Sequence, residues 1–130
     1  YVDVKNRHYQ TKHYQLSDIN GTQIIELDIE IDGEVQRLRG EGNGPISAML
    51  DALQLPIDVV NYEERSISSG ANAKALALIE LQVKGTGKNA FGAGIHDNIV
   101  TSSIEAIIAC TNRLIEQGVL TTEQVAAAAV

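Results

Sequence analysis

The sequence contains one cysteine and no tryptophan among its 130 residues. A lone cysteine, Cys110, cannot form an internal disulfide, which excludes the small secreted proteins built on disulfide frameworks and favours a reducing, cytoplasmic setting. No pair of cysteine or histidine residues has the spacing of a zinc site, so we expect no metal. With 44% apolar side chains, a chain of this length buries about two thirds of its unfolded surface and can fold as one domain without such cross-links.

Long apolar runs are also absent. No stretch approaches the roughly 18 residues that span a bilayer, and no charged-then-apolar leader opens the chain, so we expect no membrane partner. Basic residues are few, 10 against 17 acidic residues, which gives a net charge of -7. Because this charge repels phosphate backbones, nucleic acid is not an expected partner. The first residue is Tyr1 rather than Met, which leads us to expect a piece of a longer protein.

The first half of the chain predicts a strand hairpin followed by a helix. Apolar and acidic residues alternate over positions 25–31, the pattern of a half-buried strand. An Asp32-Gly33 pair follows, which is a strong turn signal, and the strand would return over positions 35–39. After a glycine-rich run, Pro45 suits the first turn of a helix that would end near position 55.

The second half repeats this order, which indicates an internal duplication. A shift of 52 residues superposes six positions, three of them glycine. After the second glycine pair, apolar residues at helical spacing predict a longer helix with Gly118 as its stop. Carried backwards, the same shift pairs residues 14–19 with 66–71 as a further strand of each unit. The superposed pairs are Leu27 with Ile79, Ile29 with Leu81, Ile31 with Val83, Gly33 with Gly85, Gly40 with Gly92, and Gly42 with Gly94.

The predicted fold class is therefore α+β, with two pseudo-symmetric βββα units. A unit of about 50 residues leaves much of one face uncovered, so we expect the two units to pack together and the chain to be dimeric. The predicted division is a connector at 1–13, a domain at 14–120 with units 14–56 and 57–118, and an alanine-rich C-terminal helix or tail at 121–130.

Groups that could carry catalysis are scarce. The three histidines are isolated in sequence, with no metal-ligand or catalytic pair among them. Cys110 lies beside the apolar face of the second helix with no histidine near it, as a core residue would. The acidic residues Asp58, Glu63 and Glu64 are typical of solvated strand ends. We predict no catalytic residue in this chain.

The two glycine runs lack nucleotide-binding spacing. In the first, Pro45 stands where a dinucleotide fingerprint needs its third glycine, and the second lacks the earlier glycine and the hydroxyl residue of a phosphate loop. In both units, however, a Gly-x-Gly strand runs directly into a helix, whose amides and positive dipole suit a small carboxylate.

The two helix starts, near 42–46 and 94–99, would meet at one cleft or at two equivalent clefts if a rough two-fold relates the units. Branched aliphatic residues nearby would then suit a free aliphatic amino acid. The alternative, that the glycines only permit tight turns, stays open on this reasoning.

Three groups of residues together form a more specific pattern. They are GEGNGPI at 40–46 ahead of a helix, YE at 62–63 with SSGANA at 68–73, and GAGI at 92–95 leading to SS at 102–103 and NR at 112–113. This pattern resembles the C-terminal regulatory domain of α-isopropylmalate synthase, over about residues 14–118.

The resemblance implies a dimeric domain that binds L-leucine, the end product of the pathway, at the subunit interface and so inhibits a distant acetyl-CoA-dependent acyltransferase site. Related citramalate synthases carry a similar domain that senses isoleucine, and the position of one methyl is worth only about 1–3 kcal/mol in such a pocket. An isoleucine sensor is therefore the alternative. Matching positions imply an effector site formed by Gly42, Asn43, Ile46, Ser47, Val59, Tyr62, Ser66, Ala73, Ile95 and Asp97.

The catalytic barrel of that family, its divalent-metal site and its acetyl-CoA contacts have no counterpart in this sequence. The resemblance thus implies that a longer parent protein is the enzyme, and that this chain alone is not catalytic and holds no cofactor. Two other hypotheses are a dimerisation module without a ligand, which ligand titration would distinguish, and a free-standing small enzyme, which the scarcity of acid and base pairs disfavours.

Overall fold

A computed structural model describes residues 9–69 and 72–120 of the chain. Within them, two βββα units follow one another, so the predicted α+β fold is confirmed. The elements are β1 (Tyr9–Ile19), β2 (Thr22–Ile31), β3 (Glu34–Gly42), α1 (Pro45–Leu53), β4 (Ile57–Ser69), β5 (Asn72–Val83), β6 (Lys88–His96) and α2 (Ile99–Glu116).

Each unit forms its own antiparallel sheet, β1-β2-β3 in the first and β4-β5-β6 in the second. Helix α1 packs on β3 and β2, and α2 packs on β6 and β5 and also contacts β1 and α1. The face of each sheet that meets the helices, its inner face, is apolar, and the two units share one buried cluster. Burial of this shared cluster is what holds the units together.

The turns follow the predicted chemistry. Asp32 and Gly33 connect β2 to β3 with φ of 49° and 91°, the left-handed pair that a two-residue hairpin requires. Helix α2 ends as expected at Gly118, whose φ is 75°. There the amides of Gly118 and Val119 donate to the carbonyls of Ile115 and Leu114, both at 3.0 Å, which is the Schellman arrangement.

The duplication is confirmed, but the single shift of 52 is wrong outside the middle strands. Tyr14 and Tyr62 occupy the same place, opposite Leu27 and Ile79 respectively, so the first strands correspond at 48 residues. The predicted pairing of 14–19 with 66–71 is therefore wrong, and 62–67 is the counterpart. The cause is the β4–β5 hairpin, which is four residues longer than the β1–β2 hairpin.

The third strands and the helices correspond at 54 residues, because the β5–β6 loop is two residues longer than the β2–β3 turn. Gly40 lies opposite Ile25, and Gly94 lies opposite Ala77, the counterpart of Ile25. Gly40 therefore matches Gly94, whereas the sequence shift had matched it with Gly92.

Gly40 and Gly94 have the same packing role. A Cβ on Gly40 would overlap the carbonyl oxygen of Ala48 and lie 2.8 Å from the Cα of Ala52. A Cβ on Gly94 would overlap the equivalent carbonyl of Ser102. Each glycine thus lets a helix pack directly on the backbone of the strand that precedes it. Tight turns do not account for these two glycines.

The chain enters the fold earlier than expected. Tyr9 is only 1% exposed, and the side chain of Asn112 binds its backbone from α2, with Oδ1 accepting from the Tyr9 amide at 2.7 Å and Nδ2 donating to its carbonyl at 2.9 Å. Because of this pairing, residues 9–13 belong to β1, although the sequence had assigned 1–13 to a connector. Residues 1–8 and the predicted C-terminal segment 121–130 lie outside the described residues.

We predict that Gly40→Ala lowers the free energy of unfolding by about 1–3 kcal/mol, because the added methyl group overpacks the contact between β3 and α1. Gly44→Ala is the matched control, since Gly44 has an extended φ of -161° and nothing lies within 4 Å of an added Cβ. Urea unfolding of both variants measures the difference. Equal stability of the two would contradict this account of the glycine.

Cys110 lies in the core, as predicted, with its thiol donating to the Ala90 carbonyl at 3.1 Å. Burial raises the pKa of Cys110 to about 11. We therefore expect the native thiol to react at pH 8 about 100-fold more slowly with iodoacetamide than the urea-unfolded thiol, since the thiolate is the nucleophile. Rapid alkylation of the folded protein would contradict the raised pKa.

The raised pKa of Cys110 also makes the free energy of unfolding depend on pH. The contribution of Cys110 is fully present below about pH 9 and is lost as the pH rises towards 11.

Candidate functional site

The two helix starts lie on either side of one cavity of about 220 Å³, and β4 forms its third wall. This is one of the two arrangements considered from the sequence. We call it the first cavity. It is lined by Gly44, Pro45, Ile46, Ser47, Tyr62, Glu64, Ile99, Val100 and Ser103.

A second cavity, of about 320 Å³, adjoins the first along β4. The two share Glu64 and Ile99. The second is the more charged, and its lining includes the longer β4–β5 hairpin that distinguishes the second unit from the first. It is lined by Glu64, Arg65, Ser66, Ala73, Lys74, Ala75, Asp97 and Ile99.

Six of the ten residues expected at the effector site line these cavities. Ile46, Ser47 and Tyr62 lie in the first cavity, and Ser66, Ala73 and Asp97 lie in the second. The site expected from the sequence thus included residues of α1, β4, β5 and the β6–α2 connection. The fold places these residues next to one another.

The other four expected residues line neither cavity. Gly42 ends β3 and Asn43 follows it, Val59 lies opposite the buried Leu81, and Ile95 is 54% exposed on the face of its sheet away from the helices.

The expected site omitted several lining residues, of which Glu64 and Ser103 matter most, whereas Ile99 is one of the aliphatic residues expected near the helix starts. A signal for Glu64 was available, because it lies two residues after Tyr62 and the strand period of two puts both on one face. Ile99 and Ser103 lie one helical turn apart at the start of α2. Their position at the cavity depends on how α2 packs on β5 and β6, which periodicity does not show.

The two helix starts are not chemically equivalent. At α2, the Asn98 side chain accepts from the amides of Val100 at 2.8 Å and Thr101 at 3.1 Å. At α1, Gly44 is the N-cap and forms no side-chain cap, and Pro45 has no amide proton. The amides of Ile46 and Ser47 at the first cavity are therefore left for an outside acceptor. Only α1 retains the anion-binding character that the sequence had suggested for both helices.

Hydroxyl groups cross the floor of the first cavity. The Tyr62 hydroxyl lies 2.7 Å from Ser103 Oγ and donates to the carboxylate of Glu64, and Ser103 Oγ donates to the Ile99 carbonyl at 2.9 Å. In the first unit the equivalent tyrosine, Tyr14, contacts α2 rather than its own helix, with the hydroxyls of Tyr14 and Thr101 2.5 Å apart, and Met49 is the equivalent of Ser103. There, Leu16 takes the place of Glu64, so the acidic group belongs to the second unit alone.

Among the residues that the structure describes, the candidate catalytic groups lie apart from one another. Asp58 pairs with Lys84 at 3.6 Å, and Glu63 and Glu64 lie on opposite faces of β4. Nδ1 of His96 accepts from the amide of Asn98 at 3.0 Å. Over residues 9–69 and 72–120, no group of three His, Cys, Asp or Glu side chains is placed to hold a metal ion. In the same part of the chain, no helix has the length and apolar content to cross a membrane.

The family comparison and the comparison with individual proteins agree over most of the chain. Residues 1–115 match the family described as the LeuA allosteric (dimerisation) domain. The chain is 41% identical over 106 residues to the 2-isopropylmalate synthase of Cupriavidus taiwanensis, covering 82% of this chain and 18% of that protein. It is 43% identical over 109 residues to the 2-isopropylmalate synthase of an Azoarcus species, covering 84% and 19%. The chain thus spans about a fifth of the length of the curated relatives it matches.

Proposed function

Because this chain belongs to the LeuA allosteric (dimerisation) domain family, we propose that it is the regulatory domain of a cytoplasmic 2-isopropylmalate synthase. In this proposal it binds L-leucine and so inhibits an acetyl-CoA-dependent acyltransferase active site in the rest of the parent protein. The observation that carries the proposal is the first cavity, where apolar side chains and uncapped helix amides occur together in a family described as allosteric.

The uncapped start of α1 supports a carboxylate at this position. The amides of Ile46 and Ser47 have no side-chain cap, and the positive end of the helix dipole favours an anion there. The carboxylate of the amino acid would complete the cap of α1, which the N-cap residue Gly44 cannot supply. At α2, Asn98 already fills this role.

The apolar lining supports a branched aliphatic side chain. Ile46, Ile99 and Val100 line the first cavity together with the ring of Tyr62. A cavity of about 220 Å³ lies below the range of about 300–1,000 Å³ that is usual for drug-sized ligands, which fits a single amino acid. Leucine and isoleucine differ only in the position of one methyl, so the isoleucine sensor remains the alternative within this same site.

Inhibition requires more than binding. A ligand shifts an enzyme between two states only if it binds one state more tightly, with a coupling that is typically about 1–3 kcal/mol. Helix α2 is a candidate to carry this coupling, since its first turn lines the first cavity and its Ile99 lines both cavities. Its Asn112 also holds the backbone of Tyr9.

We predict that isothermal titration of the protein with L-leucine shows saturable binding, and that D-leucine binds at least about tenfold more weakly because its side chain and ammonium exchange places. Ile99→Arg should abolish the binding, because Ile99 lines both cavities and a longer charged side chain fills them. Val35→Arg is the control, since Val35 is an exposed β-branched residue on β3 that lines neither cavity. No response to L-leucine, L-isoleucine or L-valine at millimolar concentration would overturn the sensor proposal.

A second candidate function, dimerisation, is favoured by the outer face of the second sheet, the face away from the helices. Phe91 and Ile95 there are 60% and 54% exposed, and register places Leu76 and Leu78 beside them on the same face. The fold does not require this apolar surface, because charged residues hold the positions of the first sheet equivalent to Phe91, Ile95 and Leu78, and only Leu76 has an apolar equivalent, Ile24. The equivalent residues are Arg37 for Phe91, Arg39 for Ala93, Glu41 for Ile95 and Glu26 for Leu78.

The family description names dimerisation, so the occupant that we propose for this outer face is a second copy of the chain. An apolar patch of this kind is typical of a protein interface. The first cavity lies on the inner side of the same sheet, so dimerisation through the outer face would leave it accessible and would place the effector site away from the subunit interface, where the resemblance had placed it.

We expect Phe91→Glu to shift the protein from dimer to monomer in sedimentation velocity, because the carboxylate would be buried without a partner. Val35→Glu, a similarly exposed position on the outer face of the first sheet, should leave the dimer intact. A monomeric wild-type protein would contradict dimerisation. A dimer that is insensitive to Phe91→Glu but altered by Ile99→Arg would instead place the interface at the cavities.

A further inference from the structure

We propose that Glu64 binds the ammonium group of the ligand, and that it thereby makes the site specific for an α-amino acid over the 2-oxo acid with the same carbon skeleton. This inference rests on the proposed function and adds the chemical basis of its selectivity. Leucine and its 2-oxo acid share the isobutyl group and the carboxylate, so neither the apolar lining nor the start of α1 can distinguish them. Only a group that recognises the nitrogen can do so.

Glu64 has the right position for this role. It lines both cavities, and its position opposite the buried Ala77 puts it on the inner face of the second sheet. The uncapped amides of α1 lie across the first cavity from it. An amino acid whose carboxylate binds these amides would therefore have its ammonium group on the side of β4.

Glu64 is also the carboxylate at these cavities whose charge is not balanced. Asp97 pairs with Lys74 at 3.8 Å, and the neighbouring Glu63 pairs with Arg65 at 2.8 Å on the outer face. Among the described residues, no cationic side chain lies within 4 Å of the Glu64 carboxylate, whose hydrogen-bond donor is the neutral Tyr62 hydroxyl. An ammonium group would supply the missing cation and a charge-assisted hydrogen bond.

Counting hydroxyl hydrogens supports the same assignment. Three contacts join Tyr62 to Glu64, Tyr62 to Ser103, and Ser103 to the Ile99 carbonyl, but the two hydroxyl groups have only two hydrogens between them. One contact therefore lacks a hydrogen when the cavity is empty. An ammonium donor to Glu64 would free the Tyr62 hydroxyl to donate to Ser103, and each of the remaining contacts would then have its own hydrogen.

The pseudo-symmetry of the fold bears on how many amino acids each chain binds. The first unit has the equivalent tyrosine, Tyr14, but Leu16 replaces Glu64 and Met49 replaces Ser103. A site that needs the carboxylate can form only once in each chain. The expected stoichiometry is therefore one amino acid per chain, although the fold is duplicated.

The test is calorimetric titration of wild-type protein, Glu64→Gln and Glu63→Gln with L-leucine and with 4-methyl-2-oxopentanoate. We expect the wild type to prefer L-leucine, and Glu64→Gln to bind L-leucine about 10- to 100-fold more weakly, the usual effect of losing a hydrogen bond to a charged group. Affinity for the oxo acid should stay the same or increase in this variant. Glu63→Gln, which changes the adjacent carboxylate on the outer face, should behave as the wild type.

The possible results separate the two proposals. If the wild type binds L-leucine and Glu64→Gln binds it within about twofold, the role of Glu64 is overturned and the sensor function stands. If the weakening affects both ligands equally, Glu64 acts on the shape of the site rather than on the ammonium, and the inference also fails. If the wild type binds no branched-chain amino acid, both proposals fall. Melting temperatures of the unliganded variants, expected to match that of the wild type, confirm that folding is unchanged.

Discussion

The contact between each helix and the strand that precedes it is the constraint on which the rest of this structure depends. A side chain at Gly40 or Gly94 would occupy the volume of the helix backbone, so α1 and α2 can pack on their sheets only because both positions lack a Cβ. This close packing fixes where each helix begins, immediately after its strand. Since both helix starts then face β4 and the same cavity, the site follows from the packing of the core.

Departures from pseudo-symmetry give the second unit its distinct chemistry. The β4–β5 hairpin is longer than its counterpart and contributes to the second cavity, and Glu64 stands where the first unit has Leu16. Asn98 caps α2, whereas α1 has only Gly44. A repeated fold with differing residues can thus provide one cavity with both uncapped helix amides and a carboxylate, while the other copy of the motif lacks the carboxylate.

The strands, the turns and the duplication of the fold could be predicted from the sequence. Alternation over positions 25–31 predicted a strand, the Asp32-Gly33 pair predicted its turn, and repetition of the pattern predicted a second unit. The constant shift between the units was wrong because it was anchored on the spacing of glycines. Two glycine pairs match at 52 residues by sequence, but the longer β5–β6 loop moves the true counterpart of Gly40 to Gly94.

The sequence by itself determined the local periods, the turns, the duplication and the family pattern, since each depends on residues close together in the chain. Only the tertiary structure decided which side chains meet. Tyr62 meets Ser103 of α2 from 41 residues away, and Asn112 of α2 binds Tyr9 from 103 residues away, because of how α2 packs against both units. That packing is set by the glycine positions on which the helices lie and by the loop lengths. A local sequence pattern does not show which distant residues it brings together.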